Sequence, residues 1–256
     1  MMILIRQELF KLFKKHSTWI SLIVMMVIQI GFAVMAKIHP DVFNPQETYT
    51  TGYYATTLLV FYLIAASSSI ITMEFQYGTI KNLLYREYSR GKIIISKWIT
   101  LLVYSIAWLV WINISSLLIK FILFPKVDLG ANLGHGYTVL TSTIVVDLAN
   151  LLTVWLILSI VILLSNLFKN SAAAISVGII GSFVTNIMSG MSAQLVIKWP
   201  WLKWNPLNML QYPDQILSPS EIHLTRLTLT QLFSGNLVYI VLILAAGYLV
   251  FQHRTV

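Results

Sequence analysis

Apolar residues fall into six long runs separated by polar breaks: Trp19–Ala36, Gly52–Ile71, Trp98–Phe124, Leu148–Phe168, Ala172–Ile197 and Phe233–Phe251. A helix that crosses about 30 Å of hydrocarbon needs about 20 largely apolar residues, and each run meets that requirement. The third and fifth exceed it, so those helices tilt or project beyond the hydrocarbon. Pro40, Pro45, Pro125, Pro200, Pro206, Pro213 and Pro219 all fall in the breaks after the first, third and fifth runs, so no run is interrupted by the residue that would break a helix. The pattern predicts an all-α, polytopic membrane protein with six transmembrane helices in a single domain over 1–256. The basic start, the first run and the small residues near Val34 and Ala36 loosely imitate a secretory signal; the length of the run and the five that follow predict a retained anchor.

Two breaks carry a pattern of their own. In the segment 74–97, Tyr77, Ile80, Leu84 and Tyr88 follow helical spacing, while Lys81 and Arg86 point elsewhere. This predicts a short amphipathic helix, then a turn through Ser89, Arg90 and Gly91. The segment holds five of the seventeen Lys and Arg. Each such residue at the centre of a membrane helix costs about 2.5–3.5 kcal/mol, so the segment lies outside the hydrocarbon. The break 198–231 is rich in Trp and Pro, and "SPSE", Ser218 to Glu221, reads as an N-cap, a proline at the first helical position and a capping Glu.

Charge then sets orientation. Eleven of the seventeen basic residues fall on one side: Arg6, Lys11, Lys14, Lys15, Lys81, Arg86, Arg90, Lys92, Lys97, Lys169 and Arg254. Positive charge near span ends resists translocation, so that side is cytoplasmic and both termini are inside. Trp19 and Trp98 sit at inner boundaries and Trp199, Trp201 and Trp204 at an outer one, the headgroup level that amphipathic rings prefer.

Composition agrees. The chain is 57% hydrophobic and 10% charged, where soluble domains carry about 25% charge. The net charge of +8 is gathered in short clusters beside apolar runs, which suits anionic lipid and membrane topology and argues against nucleic acid. The absence of cysteine excludes disulfides, thiolate nucleophiles and Cys-based metal sites. His16, His39, His135, His223 and His253 all lie outside the runs without paired spacing, so no metal site is expected. No hydrolase elbow occurs. No G-x-x-x-x-G-K-[ST] phosphate cradle occurs either, so any ATP is bound by another polypeptide.

The arrangement Glu74-x-x-x-Gly78-Thr79, then Lys81-Asn82-Leu83-Leu84, Ser89-Arg90 and Lys97, resembles the first cytoplasmic loop of ABC transporter permeases of the type-two exporter class. The N-terminal "RQELFKLFKKHSTW" resembles that family's interfacial connecting helix within 1–18, and "SNLFKNSAAAISVGIIG" its tight cytoplasmic turn between spans four and five. Many relatives carry a proline just before the Ser-Arg pair, where this chain has Glu87 and Tyr88. The resemblance implies a multi-pass protein of the bacterial plasma membrane. It implies a coupling role for Glu74, Gly78, Thr79, Lys81, Arg86, Arg90, Arg6, Glu8 and Lys11, docked on two copies of a separate ATPase subunit that holds ATP and Mg. It also implies a second permease copy or a paralogue, and a hydrophobic or amphipathic cargo such as an antimicrobial peptide. In the family the outer segment 198–231 forms a gate; plain loop packing is the other reading. Competing classes are a non-transporting sensor or assembly subunit, and an ATP-independent carrier, the latter disfavoured because no intramembrane charge pair or broken helix marks an ion site.

Individual polar residues keep two readings. Glu74 is either part of the coupling element or an interfacial carboxylate facing water. Glu8 could pair with Lys11 one turn on, or belong to a solvated face. Asp147, at or just inside the start of the fourth run, is either a buried acid or at headgroup level. Lys120 can extend its ammonium to the surface. The amides Gln29, Asn113, Asn150 and Asn186 either bond neighbouring helices or line a translocation path. Ala174, Gly178 and Ser182 repeat every four residues, a seam that lets backbones approach closely; it is internal or between two subunits, and the resemblance points to the dimer seam.

Overall fold

A backbone amide in hydrocarbon has no water to bond, so each apolar run must satisfy its own donors and acceptors as a helix. The computed structural model describes residues 1–78, 88–131, 137–168 and 170–253, and among them it contains helices and no strand. They are α1 (Met2–Lys14), α2 (His16–Ile38), α3 (Pro45–Thr50), a 3-10 turn Gly52–Tyr54, α4 (Ala55–Gln76), α5 (Arg90–Leu123), α6 (Val139–Leu167), α7 (Ser171–Lys198), α8 (Pro206–Met209), α9 (Tyr212–Leu217), α10 (Ile222–Thr225) and α11 (Leu229–His253).

Among the described residues five stretches, His16–Ile38, Gly52–Gln76, Arg90–Leu123, Val139–Leu167 and Leu229–His253, are long and apolar enough to cross a membrane. The sixth expected run lies in α7, which has 28 residues and is apolar over Ser171–Thr185. The prolines punctuate as expected: Pro45, Pro200, Pro206, Pro213 and Pro219 stand in the first turns of short helices.

Helix starts differ from expectation in two places. The fifth helix begins at Arg90, so Arg90 and Gly91 belong to its first turn and the turn expected there is absent; the Ser89 hydroxyl accepts from Lys92 N at 3.4 Å as the cap. The sixth begins at Val139, which puts Asp147 inside the helix rather than at its mouth. In both cases the polar residues upstream of the apolar run continue the helix, which hydropathy alone does not register. Ser218 makes no side-chain cap, although a short helical turn does start at Pro219.

The chain divides into two compact units: Met1–Glu8, Leu63–Leu101 and Ala149–Val256 form unit 1, and Leu9–Tyr62 and Leu102–Leu148 form unit 2. In unit 1, Ile93, Ile94 and Phe251 form a buried cluster with Phe75, Trp98 and Tyr248 against it. Arg90 Nη1 donates to the carbonyl of Gln252 at 2.9 Å, placing a cation at the negative end of α11. In unit 2, Ala33, Ala36, Tyr49, Tyr53, Ile119 and Phe124 share a core. A single extended residue, Lys15, breaks α1 from α2. The break is held by the Thr18 hydroxyl, which donates to Leu12 O at 2.6 Å and lies 2.9 and 3.0 Å from the hydroxyls of Tyr62 and Tyr104.

Gln29, one of the in-span amides, bonds neighbouring helices. Its Nε2 donates to Ser116 Oγ (2.9 Å), Gly52 O (3.3 Å) and Ile112 O (3.3 Å), and its Oε1 accepts from Ser115 Oγ (2.7 Å). Gln29→Leu is expected to cost about 1–2 kcal/mol, the upper range for interhelical hydrogen bonds in membranes, read as a lowered unfolding temperature in mild detergent.

Candidate functional site

The loop that attracts attention in the sequence ends on a buried ion cluster. α4 carries Glu74 in its last turn, between Met73 and Phe75; α5 carries Lys97 two turns from its start; α1 carries Glu8 on the face that buries Leu4. The Lys97 ammonium lies 3.1 Å from Glu8 Oε2, 3.0 Å from Glu74 Oε1 and 2.9 Å from the carbonyl of Ile70, so its three donors meet three oxygens. All three side chains are buried, Lys97 at 1% exposure. Charges withdrawn from water this completely persist only when paired and hydrogen-bonded, and three helices are thereby fixed to one another at one point.

This corrects one expectation: Glu8 is not on a solvated face but buried against Lys97. Lys97 is the residue that sequence reasoning missed, because its position beside basic neighbours reads as one more topological charge. The signal available was its location at the edge of an apolar run, opposite two isolated acids, Glu8 and Glu74.

Around the cluster the other expected residues separate. Arg6 and Lys11 are exposed on α1, on a face that also exposes Ile3 and Phe10. Gly78 is exposed, at φ +67°, just past α4, the left-handed position with which helices commonly end. Arg90 caps α11. Thr79, Lys81 and Arg86 lie outside the described residues, as does most of the amphipathic helix expected there.

Asn113 Nδ2 donates to Asp147 Oδ2 at 2.6 Å, so one expected pathway amide is brought to this acid, and Asp147 is buried at 7% exposure. Asn150 is half-buried on α6, and the side chain of Asn186 lies outside the described set. Ala174 and Ser182 are buried within the chain, and a Cβ at Gly178 would stand 2.6 Å from Ile64 Cγ2 and 3.0 Å from Val161 Cγ2. At Gly178 the small-residue stretch is thus packed against α4 and α6 of the same unit.

Comparison with known proteins bears on this arrangement as a whole. Residues 4–185, which include Glu8, Glu74 and Lys97, match the family described as ABC-2 family transporter protein. The uncharacterized membrane protein YdbK of Bacillus subtilis (strain 168) is 29% identical over 194 residues, 74% of this chain and 77% of its own. The uncharacterized protein YhcI of the same organism is 28% identical over 189 residues, 66% of this chain but 59% of its own, so this chain spans less than two thirds of that relative. With its helices long enough to cross a bilayer and a match that covers most of its length, the chain belongs to the ABC-2 transporter family, as a multi-pass protein of the cell membrane.

Proposed function

We propose that this chain is the membrane-spanning permease of an ATP-driven exporter, with six spans and both termini in the cytoplasm. It works with two copies of a separate ATPase subunit, which bind ATP and Mg, and with a second permease, either identical or a paralogue. The observation that carries the reading is Lys97 bridging Glu8 and Glu74. It joins the N-terminal helix to both ends of the segment 74–97, so a push on either surface is shared by the unit 1 parts of α1, α4 and α5. ATP-driven closure of the ATPases would press on that surface, and rigid-body tilting would open a route at the interface of the two permeases. A hydrophobic or amphipathic peptide, as in resistance to antimicrobial peptides, is the cargo class this reading favours, by family analogy.

Asp147 held by Asn113 favours one second reading, an ATP-independent carrier in which this acid binds the coupling ion. Purification in mild detergent separates the two: the exporter reading expects an ATPase subunit to accompany the permease. Charge reversal by Arg6→Glu with Arg86→Glu is expected to reduce the ATPase recovered to a small fraction while the permease still folds. Unchanged recovery and unchanged ATP hydrolysis would remove the docking role from this surface.

A further inference from the structure

In unit 2, where α2 and α5 end, a cavity of about 680 Å³ opens beside the segments that follow them. That size is within the range of about 300–1,000 Å³ common for small-molecule sites. Its charged lining residues are Lys37, in the last turn of α2, and Lys126, just beyond α5; no acid lines it. Among the described residues neither ammonium has an ion-pair or hydrogen-bond partner. The neighbouring acid Asp128 accepts from Gly130 N at 2.8 Å.

The walls are set in advance. Phe124 is buried and stacked on Tyr53, with ring centroids 6.4 Å apart and planes 16° from parallel. Asn44 is held by accepting from Gln46 N at 2.9 Å, and Pro45 and Pro125 fix their own φ. A ligand here meets a shaped site and spends little ordering it.

The approach is apolar. On α5, Ile114, Leu118 and Ile122 stand one above another at four-residue spacing and are 52%, 55% and 76% exposed. Ile122 itself lines the cavity, so the stripe runs into it. A negative head between two lysines, continuous with a track for a hydrocarbon tail, is the outline of one class of molecule. We propose that the cavity binds the phosphate of an anionic glycerophospholipid, with an acyl chain laid along Ile114, Leu118 and Ile122. A bilayer-facing helix supplies the tail surface, and the lysines select charge: attraction of surface lysines to anionic lipid is strong enough for the loss of both to weaken binding by about tenfold or more.

The test uses the full chain in mild detergent, with phosphatidylglycerol and phosphatidylcholine added in turn and bound lipid counted by native mass spectrometry. The wild type should retain one more phosphatidylglycerol than Lys37→Gln/Lys126→Gln, while phosphatidylcholine occupancy is the same in both. Lys37→Arg/Lys126→Arg should keep the lipid, and Leu118→Gln should weaken its retention with both lysines intact. Equal retention of phosphatidylglycerol by the Gln variant would overturn the proposal. Displacement of the lipid from the wild type by millimolar inorganic phosphate would also overturn it, because the site would then recognise a soluble phosphate rather than a lipid.

Discussion

Lys97→Met should cost about 3–5 kcal/mol of stability, the range measured when one partner of a buried ion pair is removed. The loss is large because it is not the contact that matters most but what remains. Glu8 and Glu74, both buried, would lose the ammonium they share, and the Ile70 carbonyl would lose its donor. Thermal unfolding in mild detergent checks this, and poor accumulation in the membrane is the expected cellular result. The complementary variant separates stability from function. Glu8→Gln/Glu74→Gln/Lys97→Met removes all three charges together, so no buried carboxylate is left without the ammonium it shared, and that chain should be more stable than Lys97→Met. If the cluster transmits force from an ATPase, the neutral variant should still bind the ATPase yet export less. Full export by the folded neutral variant would show that the cluster serves folding alone.

Gly178→Leu should be the second most damaging single change. The backbone of α7 approaches α4 and α6 so closely at this point that even a Cβ would meet Ile64 Cγ2 at 2.6 Å, well inside contact distance. Both neighbours are branched side chains on helices and have little freedom to withdraw. Overpacking of this kind costs about 1–3 kcal/mol, and a full Leu side chain belongs at the upper end. Gly178→Ala should cost less, since a small adjustment of Ile64 can accommodate one methyl. A series Gly, Ala, Leu measured by unfolding temperature should fall in that order. If the face instead met another copy of the chain, the same series would shift the oligomeric state and leave the unfolding temperature of the monomer largely unchanged.

Much of the fold could be read from hydropathy because the bilayer imposes a length on each apolar run and excludes proline from it. The helix cores lie where Trp19–Ala36 and Phe233–Phe251 predict them. What hydropathy could not read is how helices continue through polar residues. Arg90–Lys97 and the stretch from Val139 to Asp147 are helical because intrahelical bonding extends past the apolar boundary, and Arg90, Lys97 and Asp147 there are each met by a neighbouring polar group. The candidate site was half readable. Glu8 and Glu74 stood out as acids in basic surroundings, and the resemblance to a family marked both, but their partner depends on three helices meeting, which no local pattern encodes. The small-residue motif shows the same limit: it announces a close approach of helices without naming which helices approach.

The turn Gly52–Tyr54 has a consequence for how the protein could move. Gly52, Tyr53 and Tyr54 are all left-handed, at φ +59°, +52° and +63°, a conformation that costs an L-residue with a Cβ roughly 1–2 kcal/mol. Here it is imposed by stacking of Tyr53 on Phe124 and by the Gln29 bond to Gly52 O. The turn is thus a loaded spring with two catches. Were both let go, the three residues would fall into the right-handed basin, α4 would gain a turn at its start, and the segment joining it to α3 would be drawn in.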